Sequence, residues 1–166
     1  MKNLKPRNTK NEAGFTLIEI LVVIGIIAIL AAIVIIAINP AKQFAQARNT
    51  QREAAVNSVL NAVGQRIADN KGVFNGTFTV GGNSYTCPTL IVGPTGIATT
   101  TGTGAGDLGC LVPTYISSLP SDPAGTAVPP LTGFTIGVDT VGRVTVCAPL
   151  HAEPSIPDST SYCVTR

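Results

Sequence analysis

Between Phe15 and Ile38 the chain is apolar at every position except Thr16, Glu19 and Gly25. A run with no polar face does not suit the surface helix of a soluble domain. Its ~24 residues make a helix of roughly 36 Å, enough to cross the hydrocarbon core of a bilayer with some tilt. Further on, the pattern narrows to one apolar stripe. Val56, Val59, Leu60, Val63 and Ile67 recur at three- and four-residue spacing, with Arg52, Glu53, Asn57, Asn61 and Arg66 elsewhere around the wheel. No loop signal separates the two stretches, so one helix from about Thr16 to Asn70 is expected, roughly 80 Å long, with Gly72 as its stop. Pro40 interrupts it. The ring removes the hydrogen bond to the Ile36 carbonyl and clashes with it, which predicts a kink or a locally unwound stretch at Ala37–Pro40, or equally the end of one helix and the start of another. Gly25 is a second weak point within the apolar run.

Past Gly72 the period changes. Thr77–Val80 and Ser84–Cys87 flank Gly81-Gly82-Asn83 as a hairpin, and Phe134–Val138 and Arg143–Cys147 flank Asp139–Gly142 as another. Residues 93–106 are rich in Thr and Gly, with almost no side chain to bury, and are expected to form a mobile surface loop. Residues 107–118 should hold a short helix broken at Pro113, and a last strand or a disulfide tether near Cys163 should hold the tail. The fold class is therefore α+β: a long N-terminal helix, half transmembrane and half packed, with a small C-terminal antiparallel sheet domain. Its segments are a basic leader at 1–14, an apolar helix at 15–38, an amphipathic continuation at 39–71 and a β-rich head at 72–166.

Composition adds direction to this picture. The length of 166 residues suits one domain plus an appendage. The mean hydropathy of +0.35 comes mostly from the apolar run. The formal net charge of +2 is uneven: Lys2, Lys5, Arg7 and Lys10 against Glu12 give the first fourteen residues about +3, leaving about −1 for the rest. A nucleic-acid binder needs its cations on the folded part, so no nucleic-acid partner is read here. A basic arm ahead of a membrane-length run stays cytoplasmic by the positive-inside rule, which carries the remainder across the membrane. Cys87, Cys110, Cys147 and Cys163 all lie on that far side, even in number and without CxxC spacing, which favours disulfides over metal ligation. Three pairings are open. The neighbours along the chain, Cys87 with Cys110 and Cys147 with Cys163, are preferred.

Catalytic chemistry finds little to work with. Gly104-Ala105-Gly106-Asp107-Leu108-Gly109 fits the dinucleotide pattern but lacks the preceding strand, and its would-be helix meets Pro113. His151, the single histidine, sits in a Pro-flanked loop and reads as a solvated surface residue. There is no Walker A loop, HExxH or GxSxG. Asn75-Gly76-Thr77 fits the glycosylation sequon and is read as a turn. The chain is read as non-enzymatic.

The apolar run is far longer than the 7–15 residues typical of a secretory signal, although Ala45-Gln46-Ala47 offers a small-x-small site after it. Its entrance is more telling. Glu19 places a carboxylate inside a lipid-length segment, at a cost of several kcal/mol if charged and unpaired, and no partner lies nearby along the chain. Gly14-Phe15-Thr16-Leu17-Ile18-Glu19, after a basic leader and ahead of an apolar run, resembles the class III signal of type IV pilins and of the pseudopilins of type II secretion. That resemblance implies a membrane-embedded prepilin peptidase that cuts after Gly14 and methylates the new amine of Phe15. The helix is retained, and Glu19 pairs with the amine of a neighbouring subunit, setting register more than adding stability. It further implies self-association into a helical filament, membrane lipid as the surroundings before assembly, and an inner-membrane platform with a cytoplasmic ATPase. The location implied is the inner membrane, single-pass with a cytoplasmic N-terminus, and then an extracytoplasmic filament. Family members often carry a proline near the depth of Pro40, associated with helix curvature. Tyr115–Pro123 is a second, looser likeness. No cofactor is implied; some pseudopilins carry calcium, but Asp122, Asp139 and Asp158 are too scattered here to define such a site. The competing reading is a signal-anchored extracytoplasmic binding module that does not polymerise.

Overall fold

The computed structural model describes residues 14–102, 104–157 and 159–166; the basic leader up to Ala13, and Asp158, lie outside them. The chain divides into two compact units, Met1–Pro40 and Ala41–Arg166.

The first unit is helix α1 (Leu17–Ile38), none of whose residues is buried. By length and composition it is able to cross a membrane. The helix runs through Gly25 without a break, and a Cβ there would meet nothing. The helical stretch expected over residues 16–70 is interrupted by one residue: α1 ends at Ile38, Asn39 turns left-handed (φ 45°, ψ 80°), and α2 (Pro40–Asp69) opens on the proline. The cause is local. The Pro40 ring disfavours right-handed helix at the residue before it, Asn tolerates the left-handed region better than most residues, and a proline lacking its N–H is at home in the first turn of the next helix.

The second unit is built on α2. Its inward stripe runs Ala45, Asn49, Arg52, Val56, Val59, Val63, Arg66 in alternating steps of four and three, all buried. Against it lies an antiparallel sheet ordered β3 (Thr95–Ala98), β4 (Leu131–Val138), β5 (Val144–Ala148), β6 (Tyr162–Thr165). Phe134, Ile136 and Val146 enter the core, joined by Ile97, Leu108 and Leu111. A separate hairpin of β1 (Gly76–Val80) and β2 (Asn83–Cys87) turns through Gly81 and Gly82, both at positive φ, as a tight two-residue connection requires. Two disulfides close the unit. Cys87–Cys110 joins the end of β2 to a 3-10 turn at Gly109–Leu111, with both sulfurs' residues buried, and Cys147–Cys163 bridges directly opposed residues of β5 and β6. For loops of such length each contributes roughly 3 kcal/mol.

Three expectations change. Residues 93–106 are not a featureless mobile loop: β3 lies within them with Ile97 and Ala98 buried. The Thr/Gly stretch that follows folds around Asp107, whose carboxylate accepts from Thr100 Oγ1 (2.6 Å) and the Gly104 amide (2.9 Å). The three glycines of the GxGxxG match serve this packing. Gly104 abuts the Asp107 carboxylate, Gly106 lies against the Gly96 carbonyl, and a Cβ on Gly109 would sit 2.6 Å from the Thr99 and Thr100 carbonyls. The helix expected within 107–118 is reduced to the 3-10 turn at Gly109–Leu111. Finally, His151 is not a free surface residue. Nδ1 donates to the Thr160 carbonyl at 2.9 Å, Nε2 lies 3.2 Å from Glu53 Oε1, and the ring stacks on Tyr162.

The largest correction concerns the two arginines assigned to the polar side of α2. Arg52 is 1% exposed and Arg66 is 2% exposed. Arg52 grips Asp122 bidentately (2.7 and 3.1 Å) and also donates to Glu153 (2.6 Å) and Asn49 (2.8 Å). One turn away, Arg48 takes Glu153 bidentately (2.7 and 2.8 Å). The Arg48 and Arg52 guanidiniums hold the Glu153 carboxyl down to about 2 from its ordinary 4.5. Arg66 differs: it stacks over Phe78 (4.5 Å), gives one bond to the Gly76 carbonyl, and leaves Nε buried without a partner.

These contrasts set two expectations for the detergent-solubilised chain. Arg52→Met leaves Asp122 as a buried charge without its counter-ion and lowers unfolding free energy by about 3–5 kcal/mol. Arg66→Met keeps an apolar and sulfur contact with Phe78 and removes an unsatisfied N–H, and so stays within about 1 kcal/mol of the parent. Urea unfolding followed by tyrosine circular dichroism measures both. The second expectation is a pH dependence. Because the folded-state pKa of Glu153 is depressed, its contribution is fully present above about pH 4.5 and is lost as pH falls toward 2. The difference in melting temperature between the parent and Glu153→Gln therefore shrinks across that window.

Candidate processing and assembly site

The residues singled out by the class III pattern lie at the start of α1. Gly14, Phe15 and Thr16 precede the helix and take no regular secondary structure. A Cβ on Gly14 would meet nothing within 4 Å, and Phe15 is 80% exposed. Thr16 is the N-cap. Its backbone is extended (φ −80°, ψ 151°), and its Oγ1 accepts from the Glu19 amide at 3.2 Å. The Thr16 carbonyl accepts from Ile20 at 3.3 Å, the first bond of the helical ladder.

Glu19 therefore stands at the third helical position, where Thr16-x-x-Glu19 has the spacing of a capping box. A carboxylate in the first turn faces the positive end of the helix dipole and its unpaired N–H groups. This revises the view that the chain offers Glu19 nothing: its own helix N-terminus supplies part of the compensation. Among the described residues no cationic side chain pairs with it. The spacing of Thr16 and Glu19 was readable in the sequence as a helix-start signal, although the motif reading alone assigned Thr16 no role.

The remaining candidates are dispersed. Gly25 is internal to α1, Pro40 opens α2, and the four cysteines form the two disulfides of the second unit. Asp122 is committed to Arg52. Asp139 accepts from the Arg143 amide, the Arg143 guanidinium and the Val141 amide, and chiefly the first of these bonds holds its carboxyl below the ordinary range. Among the described residues no cluster of three His, Cys, Asp or Glu side chains is placed to hold a metal.

The family model of the prokaryotic N-terminal methylation motif matches residues 9–37, a span that contains Gly14, Phe15, Glu19 and nearly all of α1. No curated protein and no solved structure matches the chain. The matched span brings together a glycine outside the helix, an exposed aromatic after it, an acid in the first helical turn and an apolar helix with no buried residue. Residues 9–37 thus carry a prokaryotic N-terminal methylation motif, the kind of class III signal borne by type IV pilin-like prepilins, on an apolar helix long enough to cross a membrane.

Proposed function

We propose that the chain is a structural subunit of a type IV pilus-like or pseudopilus filament. It is made with residues 1–14 on the cytoplasmic side and α1 in the inner membrane, cut after Gly14 by a prepilin peptidase, and methylated on the amine of Phe15. It then polymerises through α1, drawn from the bilayer by a platform protein and a cytoplasmic ATPase into an extracytoplasmic filament. Membrane lipid surrounds α1 before assembly and other copies of α1 surround it afterwards.

The observation that carries this reading is the pairing of an acid in the first turn with an apolar helix that buries nothing. Exposed on all sides, α1 requires apolar surroundings, and neighbouring copies serve as well as lipid. The helix terminus compensates only part of the Glu19 charge. Cleavage next to Phe15 creates the missing cation, a primary ammonium that methylation converts to a secondary one. Within a polymer, that amine on one subunit beside Glu19 of the next makes a pair that roughly balances its own desolvation while fixing stagger. The head, tied by two disulfides and a buried ion network, supplies a rigid body for the outside of the polymer.

Intact-mass spectrometry of the chain from cells with a prepilin peptidase should show loss of residues 1–14 and a gain of one methyl group; a mature start after Ala47 sinks the proposal. Glu19→Gln should leave membrane insertion and cleavage intact while filament yield, counted by electron microscopy of sheared fractions, falls by at least tenfold. Unchanged yield would instead favour a displayed module that does not polymerise.

A further inference from the structure

We infer that Thr16 is a positioning residue for the processing reaction. Its hydroxyl fixes the start of α1 just past Phe15, and so holds the Gly14–Phe15 peptide outside the helix where a peptidase can take it. The inference rests on the proposed cleavage after Gly14.

One donor decides where the helix starts. In an α-helix each N–H bonds the carbonyl four residues back, so helix extended by one turn would place the Glu19 amide on the Phe15 carbonyl and the Ile18 amide on the Gly14 carbonyl. The Glu19 amide is instead held by Thr16 Oγ1 at 3.2 Å, and the ladder opens with Ile20 on the Thr16 carbonyl. The hydroxyl thus competes directly with helix formation across Phe15. The surroundings push the other way. In lipid every backbone polar group must be satisfied within the chain, which favours spreading the helix to the end of the apolar run, and that run begins at Phe15. The cap satisfies a first-turn N–H without such spreading. Gly14, poor in helix by about 1 kcal/mol relative to Ala, acts in the same direction.

The consequence is chemical. Hydrolysis adds water to the Gly14 carbonyl carbon and breaks its bond to the Phe15 nitrogen; Gly14 is released as a carboxylate, and the Phe15 nitrogen takes up both protons of the water to become an ammonium. A Gly14 carbonyl bonded to the Ile18 amide would have to be freed first. An extended segment, by contrast, can pair its backbone with the edge of an enzyme's strand. Thr16, at φ −80° and ψ 151°, is already extended.

The test uses the full chain in lipid nanodiscs with a purified prepilin peptidase, and Thr16→Val, Thr16→Ser and Thr16→Asn variants. Valine matches threonine in shape but cannot cap, so part of its population holds the scissile peptide in helix. This raises KM by about fivefold with kcat unchanged. Ser and Asn, which cap but differ in shape, stay within about twofold of the parent. Equal KM for the parent and Thr16→Val overturns the inference, as does slow cleavage of all three variants, which would mean that the peptidase reads threonine itself. A parent chain left uncut brings down the processing proposal as well, whereas a parent cut after Gly14 leaves that proposal standing whatever the variants do.

Discussion

The guanidinium of Arg52 is where the second unit is joined. It sits on the inward stripe of α2, one turn before Val56, and meets two segments outside the sheet: the loop holding Asp122 and the 149–160 stretch holding Glu153. The C-terminal half of α2 can bury valines against β4 and β5. Its N-terminal half cannot, because the segments facing it are built of Pro, Ser, Ala and Gly with few large apolar side chains. Directional bonds replace area there. Around the same point, Asn49 donates to the His151 carbonyl, His151 meets Glu53, and Ser159 donates to the Glu153 carbonyl. A buried ion network of this kind adds little net stability over a well-packed apolar cluster. Its bidentate geometry instead admits one placement of each segment, so Arg52 contributes position more than free energy.

This explains which parts of the fold were legible. The apolar run, the hairpin turns at Gly81-Gly82 and at Asp139–Gly142, and the cysteines were readable because each rests on a local rule: an unbroken hydrophobic stretch, residues suited to positive φ, an even count without CxxC spacing. Arg52 and Arg66 were misplaced because hydrophobicity was used to find the buried face, and arginine is almost never fully buried unless paired. The partners of Arg52 lie far along the chain, at Asp122 and Glu153, and Arg66 meets Gly76 and Phe78 only after the chain has turned back past the helix end. Spacing alone held the signal: continuing the steps of three and four outward from Val56 and Val63 lands on Arg52 and Arg66. Strand β3 was hidden for a similar reason, since its Thr-Gly-Ile-Ala sequence has one large apolar residue and owes its burial to β4 beside it. At the candidate site, the glycine, phenylalanine and glutamate were visible as a motif, whereas the threonine between them became meaningful only once the helix start was located.

Two glutamates show how differently one chain can treat the same group. Glu153 is nearly buried and has everything it needs: two arginines on adjacent turns of α2, near enough to hold its carboxyl ionised down to about pH 2. Its charge is settled within a single chain, and it serves to lock that chain's own fold. Glu19 has only the N-terminal end of its own helix, which offers partial charge that fades within one turn. No side chain among the described residues completes it. On a helix whose apolar sides are all exposed, a carboxylate so incompletely compensated is stabilised where a further cation is brought to it. Gly14 and Phe15, adjacent in sequence and outside the helix, are placed where one hydrolytic cut would generate such a cation. In the proposed filament the two glutamates take different tasks: Glu153 locks the fold of its own chain through Arg48 and Arg52, while Glu19 is left for the amine of a neighbouring subunit.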